Sequence, residues 1–299
     1  MIRPAALKQN DVVGIVAPAR KLDKGTLQES IERIKSWGYQ VKTGKNLYST
    51  AHSYLSGSDA ERWEDFQNML DDASVKAIIC ARGGYGTSRI LDQLDFRLFQ
   101  KNPKWICGFS DITALHLKLQ KLEIQSIHGT MPVLFPKPES ALSVETLRKV
   151  LAGEPITINT ASNPKNNFGK ATGRLVGGNL SLIVDSLGTA SEIDTSNKIL
   201  VIEEVDEYLY KIDRMMVQLK RAKKLQDLAG VVVGHMTDIK ETELPFGESV
   251  EEIIMNHVRE FKYPVGFGFP IGHENPNMAW VVGANATLNI TLQQSSLSF

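Results

Sequence analysis

Ser110 stands at the junction between a short apolar run and a helix-like segment, in the sequence GFSDIT (108–113). A serine at such a strand-to-helix junction points its hydroxyl over the sheet edge, where the following N–H groups lie at the positive end of a helix. This layout suits a nucleophile, although Ile112 stands where a G-x-S-x-G motif has its second glycine. The alternative role for Ser110 is that of a helix cap, since serine is a favoured N-cap residue.

A glycine-rich turn follows another apolar run, in the sequence CARGGYGT (80–87). Gly83 and Gly84 allow the backbone to approach a ligand closely and to point N–H groups at an anion or an oxyanion. A plain tight turn that ends in a Thr87 helix cap is the alternative. The segment has neither Walker A nor G-x-G-x-x-G spacing, so it is not typical of a nucleotide-binding loop.

Two acids and a loop histidine elsewhere in the chain are candidates for activating a serine hydroxyl. Glu203 and Glu204 end the apolar run KILVIEEV (198–205). Neighbouring strand residues point to opposite faces, so only one of the two acids can face a given cleft, and a solvated charge pair is the alternative. His273 lies in a loop punctuated by glycine and proline. A serine nucleophile needs a base and the base needs an orienting acid, but no spacing rule shows that Ser110, His273 and Glu203 meet in space.

The other histidines and the two cysteines favour structural roles. His116 falls inside a predicted helix and His235 ends an apolar strand, so we expect packing or capping, whereas His128 could form a pocket wall. Cys80 and Cys107 end apolar runs and are expected to be buried thiols. A cysteine hydrolase that uses Cys107 is an alternative with poor access. The chain has no H-E-x-x-H motif, so we expect no metal site.

The elements that must position these residues alternate in type along the first half of the chain. Ser58 and Glu61 form a capping-box pattern that predicts the start of a helix. The apolar runs predict strands at 11–18, 39–44, 75–81, 104–110 and 124–129. This order indicates an α/β fold with a parallel sheet, in which ligands sit beyond the carboxyl ends of the strands. Ser110 and the glycine turn follow two of those ends.

Composition divides the chain into two units. Proline, asparagine, glycine and lysine accumulate over 146–170, which we interpret as a linker between an N-terminal domain (1–145) and a C-terminal domain (171–299). The C-terminal domain has strand-like runs and helical patterns, at 198–205, 228–235, 208–219 and 248–260.

Charge and hydropathy exclude several classes of protein. The 299 residues include 34 Lys and Arg against 34 Asp and Glu, which argues against a dedicated nucleic-acid binder. No apolar run approaches the ~20 residues that a membrane helix needs, and the N-terminus does not resemble a signal peptide. Two cysteines cannot form a disulfide framework. We therefore expect a cytoplasmic protein.

Taken together, these segments resemble the LD-carboxypeptidase family, serine peptidases of the muramoyltetrapeptide carboxypeptidase type. The similar stretches extend from near the N-terminus to near the C-terminus: GIVAPA (14–19), ARGGYGTSRILDQLD (81–95), GFSDITALH (108–116), GGNLSLI (177–183), LVIEEVDEYLYKIDRMMVQL (200–219) and FPIGHENPN (269–277). The resemblance implies an N-terminal α/β domain and a C-terminal swivelling-type domain rich in strands, with the active site between them. It also implies a homodimer and no cofactor.

The resemblance assigns roles to five positions. It implies a catalytic triad of Ser110, Glu203 and His273, with the backbone N–H groups of Asp111 and Gly84 as the oxyanion hole. The family cleaves the amide between an L-centre and a terminal D-alanine in tetrapeptides recycled from the cell wall.

Substrate recognition leaves more than one reading open. An exopeptidase must recognise a free carboxylate, and Arg82 is the nearest strand-end cation, although a structural ion pair is equally consistent with its position. A related branch of the family cleaves peptide–nucleotide antibiotics. Its members are longer and have an added loop with aromatic residues, and this sequence has no obvious insertion of that kind. A small-ligand binding protein, with Ser110 and the glycine turn as binding amides only, is the non-enzymatic alternative.

Overall fold

The computed structural model describes residues 1–299. Thirteen strands are present: β1 Val12–Val16, β2 Gln40–Thr43, β3 Val75–Cys80, β4 Trp105–Gly108, β5 Ser126–His128, β6 Thr157–Ala161, β7 Gly169–Asn179, β8 Lys198–Val205, β9 Gly230–Thr237, β10 Val265–Gly266, β11 Trp280–Val282, β12 Asn285–Ile290 and β13 Gln294–Ser298. Nine helices accompany them: α1 Gln28–Ser36, α2 Asp59–Asp71, α3 Thr87–Leu91, α4 Arg97–Lys101, α5 Thr113–Lys121, α6 Ala141–Leu151, α7 Leu180–Asp185, α8 Leu209–Arg221 and α9 Val250–Val258.

The first sheet has the strand order β11-β5-β4-β3-β1-β2. Its first five strands along the chain pair in parallel, and only β11 is antiparallel, to β5. The apolar runs explain this arrangement, because a parallel sheet covered on both faces needs nearly continuous hydrophobic strands. The five strands predicted for the first half of the chain are therefore confirmed, and the capping box is present, with Glu61 N donating to Ser58 Oγ at 3.2 Å.

The second sheet has the order β10-β9-β8-β7-β12-β13-β6. Its parallel half, β7 to β10, carries the predicted strands β8 and β9 and packs against α8 and α9. Its antiparallel half is formed by β12, β13 and β6. The chain is thus a mixed α/β protein with two sheets, as predicted.

Two segments lie differently from the predicted division into domains. The segment 146–170, interpreted as a linker, contains the end of α6 and all of β6, and β6 pairs with β13 as an edge of the second sheet. Near the C-terminus, β11 returns to the first sheet, where Trp280 lies opposite His128. The exact domain boundaries stay a prediction.

One hydrophobic core runs between the two sheets and two others lie beneath their helices. No helix of the structure combines the length and the apolar character that crossing a membrane requires.

Candidate active site

Ser110 occupies the first position of a single 3₁₀ turn, Ser110–Ile112, which leads from β4 into α5. Its φ of 62° lies in the left-handed region, which is uncommon for a residue other than glycine and is often found at functional sites. The sharp turn needs a glycine before it, since a Cβ on Gly108 would lie 2.8 Å from Ile112. The backbone thus holds Ser110 at the carboxyl end of the sheet, half-buried.

The glycine turn lies directly beside this serine. A Cβ on Gly83 would come within 3.1 Å of the Ser110 Cβ and 3.3 Å of its Oγ, so only glycine fits without displacing the hydroxyl. Gly84 has a φ of +118°, a conformation that glycine adopts readily. Asp111 ties the two segments together, because its buried Oδ2 accepts the backbone N–H of Thr87 at 2.8 Å.

Arg62, which sequence patterns did not indicate, supports the turn from beneath. Its guanidinium is buried and donates to the carbonyl oxygens of Pro18 and Gly86, the latter at 2.8 Å, and it pairs with Asp59. The side chain lies on α2 behind the capping box, where helical periodicity does not distinguish a buried arginine from a surface one. Arg62 therefore fixes the glycine turn relative to the loop after β1.

Glu203, buried near the end of β8, forms a pair with the partly exposed His273. His273 Nδ1 donates to Glu203 Oε2 at 2.7 Å, and the Glu203 side chain is fully buried. A Cβ on Gly272 would lie 3.0 Å from Glu203, so the loop reaches the carboxylate closely only because glycine precedes His273. Asn277 holds this loop by accepting the Gly272 N–H at 3.0 Å.

Electrostatics favour a charged carboxylate in this pair. Burial opposes ionisation of Glu203, but the neighbouring imidazoles of His128 and His273 outweigh it and lower its pKa to about 2. Burial also lowers the pKa of His273, yet the hydrogen bond and charge of Glu203 more than compensate and raise it above its ordinary value. The pair therefore has the polarity of an orienting carboxylate and a strengthened base.

Glu204 faces the other side of the strand and bonds to the start of a helix. Its carboxylate accepts from Asn179 Nδ2 at 2.8 Å and from the backbone N–H and the hydroxyl of Ser181 at 2.7 and 2.6 Å. These contacts fasten the first turn of α7 to β8. The alternation along β8 thus sends one acid to His273 and the other to a helix start.

A contact between the two sheets sets Ser110 against this pair. The Thr113 hydroxyl, three residues after the serine, accepts the backbone N–H of Asn179 at 3.0 Å in a buried position. Asn179 is the register partner of Glu203 in the β7–β8 ladder. A short chain of bonded residues therefore connects the serine turn with the strand that carries the carboxylate.

Ser110 and His273 line the same open cleft, which has a volume of about 550 Å³. Gly83 and Gly84 form one wall, and Phe109 packs against the imidazole with ring centroids 4.9 Å apart. No hydrogen bond joins the serine hydroxyl to the imidazole in this structure. Catalytic hydrogen bonds of this kind are often long without substrate and shorten when it binds.

Two cations line the cleft without an acidic partner. Arg82 donates to the backbone carbonyl of Lys21 at 3.0 Å, and its Nε is buried without a partner. Arg20 lies over the ring of Tyr54, at 5.4 Å from the centroid. The ion pair that the sequence left open as an alternative role for Arg82 is absent. The side chains thus leave positive charge available beside Ser110.

The other histidines and Cys107, which the sequence analysis considered, have contacts that indicate structural roles. His116 is fully buried, with Nδ1 bonded to Ser126 Oγ at 2.8 Å and Nε2 to Gly108 O at 2.9 Å. His235 Nδ1 accepts the N–H of Glu274 at 3.3 Å. Cys107 is fully buried and burial raises the pKa of its thiol well above the ordinary value, which argues against a cysteine nucleophile.

Two family models match the chain and account for both sheets. The LD-carboxypeptidase N-terminal domain matches residues 13–129 and the LD-carboxypeptidase C-terminal domain matches residues 172–288. The chain therefore belongs to the LD-carboxypeptidase family, as the sequence resemblance indicated. It is a carboxypeptidase of the serine type.

Individual relatives cover nearly the whole chain. The probable murein peptide carboxypeptidase of Bacillus subtilis strain 168 is 38% identical over 292 residues, 96% of this chain and 91% of the relative. The crystal structure of muramoyltetrapeptide carboxypeptidase from Oxalobacter formigenes superimposes with a TM-score of 0.88 at 28% identity, covering 96% of this chain and 98% of that one. The microcin C7 self-immunity protein of Escherichia coli is 25% identical over 338 residues, 98% of this chain and 96% of the relative.

The contacts of the two neighbouring acids predict different outcomes for the same substitution. Glu203→Gln should lower kcat by about 10⁴-fold, because the amide no longer orients and stabilises the protonated imidazole. Glu204→Gln, the matched control, should lower the melting temperature while leaving much more of the kcat, since its partners are Asn179 and Ser181. Steady-state kinetics and thermal unfolding of both variants check this. A larger loss of kcat in Glu204→Gln would reverse the assignment.

The raised pKa of His273 predicts the acidic limb of the pH profile. A base must be neutral to accept a proton, so kcat/KM should fall as the pH drops through the pKa of His273 in the free enzyme. That pKa is raised above 6.5, so the midpoint of the limb should lie above 6.5. Measurement of kcat/KM over the pH range in which the protein stays folded tests this. A midpoint below 6.5 would contradict the coupling between Glu203 and His273.

Proposed function

We propose that this protein releases the terminal D-alanine from murein tetrapeptides, using Ser110 as nucleophile, His273 as base and Glu203 as orienting acid. The observation that carries the proposal is the 2.7 Å hydrogen bond between His273 and the buried carboxylate of Glu203, beside a serine held in a strained turn over the same cleft. The relatives named for murein peptides support the substrate class.

The reaction follows the order of proton transfers in a serine peptidase. His273 Nε2 takes the Ser110 proton as Oγ attacks the scissile carbonyl, and Glu203 stabilises the resulting imidazolium. The backbone N–H groups of Asp111 and Gly84 bind the developing oxyanion. His273 then protonates the leaving D-alanine, and water, activated by the same imidazole, hydrolyses the acyl-enzyme.

The unpaired cations explain why the enzyme would act at a chain end. A carboxypeptidase gains specificity by binding the substrate's free carboxylate at one residue from the scissile bond. Arg82 and Arg20 line the cleft with Ser110 and have no acidic partner. We assign the carboxylate to these two guanidiniums, with Gly83 keeping the space beside the serine open.

Cleavage of peptide–nucleotide antibiotics is the second candidate, and the similarity to the microcin C7 self-immunity protein favours it. That alignment runs over 338 residues, more than the 299 of this chain, so the immunity protein has residues with no counterpart here. The alignment with the B. subtilis relative runs over 292 residues. The shorter chain of this protein favours murein peptides as its substrates. We further propose that the protein acts in the cytoplasm as a homodimer.

Product masses should identify the bond that is cut. Incubation with a murein tetrapeptide should remove one alanine, whereas a pentapeptide that ends in D-Ala-D-Ala should remain intact, because its carboxylate lies one residue too far from the scissile carbonyl for near-attack geometry. Ser110→Ala should lower kcat by about a million-fold. Loss of one alanine from the pentapeptide, or hydrolysis only of an aminoacyl sulfamoyl nucleoside, would contradict the substrate assignment.

The carboxylate assignment predicts a defect in substrate binding for the arginine variants. Arg82→Gln and Arg20→Gln should lower kcat/KM by about 10- to 100-fold each, the range expected for a lost charged hydrogen bond. Arg97→Gln is a control, because Arg97 pairs with Asp95 on the surface. A tetrapeptide amide should be a poor substrate for the wild-type enzyme and no worse for the two variants. Equal cleavage of acid and amide by the wild-type enzyme would overturn the assignment.

A further inference from the structure

His128 lies directly behind the carboxylate of Glu203. Its Nε2 is 3.9 Å from Glu203 Oε1, the oxygen that His273 does not use, and both side chains are fully buried. This separation exceeds hydrogen-bond length. Both ring nitrogens of His128 and Glu203 Oε1 are buried without any partner. Three unsatisfied polar atoms thus meet in one enclosed place.

Glu203 Oε1 is an acceptor without a partner that lies beside the His128 ring. The imidazole stacks on Trp280 with centroids 5.2 Å apart and packs edge-on against Phe109 at 5.9 Å. His116 is the other polar neighbour, but both of its nitrogens are already bonded. Buried polar groups are nearly always satisfied in proteins, and Nε2 and Oε1 are an unsatisfied donor and acceptor 3.9 Å apart.

We propose that His128 is a positioning residue that donates its Nε2–H to Glu203 Oε1 when the active site engages substrate. This inference rests on the proposed roles of Ser110, His273 and Glu203. The bond fixes the carboxylate rotamer, so that Oε2 stays aligned with His273 Nδ1. It also reduces the basicity of the carboxylate, so the proton taken from Ser110 remains on the imidazole instead of moving to Glu203.

The His128 donor should affect the pH profile of the enzyme. An N–H directed at Glu203 places positive potential near His273, so loss of that donor should raise the pKa of His273. The titratable groups that face this assembly from the packed elements are Glu204, His116, His235 and Glu274. A substitution at His128 leaves these groups in place. His128 contributes to the lowered pKa of His116, but burial is the main cause and holds that pKa far below the acidic limb, so a shift of the limb reports on the His128 donor.

The test compares two variants at one position. His128→Leu removes both nitrogens, whereas His128→Gln keeps an N–H near the place of Nε2. We expect His128→Leu to lower kcat by about 10- to 100-fold, by analogy with residues that orient the ligands of a metal, with KM nearly unchanged and the acidic limb of kcat/KM moved to higher pH. His128→Gln should restore most of the kcat and the position of the limb. His257→Gln, at a histidine that pairs with Asp213, is the control.

Two results would overturn the proposal. The first is a His128→Leu enzyme with the kcat and the acidic limb of the wild-type enzyme. The second is a His128→Gln enzyme whose kcat is as low as that of His128→Leu while the acidic limb stays in place, which would mean that the ring contributes only packing. Ser110→Ala separates these from failure of the proposed function: if it retains activity, the mechanism itself is wrong.

A measurement on the wild-type protein covers the case in which the variants do not fold. Nitrogen-15 NMR of labelled histidine should show a protected Nε2–H for His128 that shifts when a serine-directed phosphonate binds. A His128 protonated at Nδ1 only, or an Nε2–H that exchanges freely and does not respond to the phosphonate, would contradict the proposal.

Discussion

A carboxylate that is fully enclosed by protein must meet N–H donors or positive charge, because burial alone disfavours its ionised form. Glu203 is in this situation at the end of β8, and His273 supplies the donor on one oxygen at 2.7 Å. The hydrogen bond and charge of the pair keep the pKa of the carboxylate low and that of the imidazole high. The strand β8 and the loop around Gly272 bring these two groups together, and the carboxylate is shielded from water.

The serine depends on the same arrangement through the packing of two sheets. Ser110 belongs to the first sheet and Glu203 to the second, and the buried bond between Thr113 and Asn179 fixes one relative to the other. Glycines permit the close approaches on both sides, at Gly83 beside the serine and at Gly272 beside the carboxylate. A cleft between two sheets thus carries the nucleophile on one wall and the base on the other.

Local patterns in the sequence predicted much of the fold. Ser110 was recognisable because a buried strand leads directly into a helix, and the first five strands form the parallel sheet that their apolar runs indicated. Long-range pairing was not accessible to local patterns. Glu203 and His273 are 70 residues apart, and only the family resemblance implied that they act together; nothing in the three residues of β11 indicates that this strand joins the first sheet. From the sequence, His128 could form a pocket wall, but it is fully buried and does not line the cleft; only the fold shows which carboxylate it faces.

The central claim is that Ser110 forms a covalent acyl-enzyme with help from the Glu203–His273 pair, and trapping with a serine-directed fluorophosphonate tests it most directly. Intact-mass and peptide mapping should show one adduct per chain, located on Ser110, that forms much more slowly in the Glu203→Gln variant. Ser110→Ala should form no adduct. An adduct on another residue, or equal labelling rates with and without the Glu203 carboxylate, would contradict it.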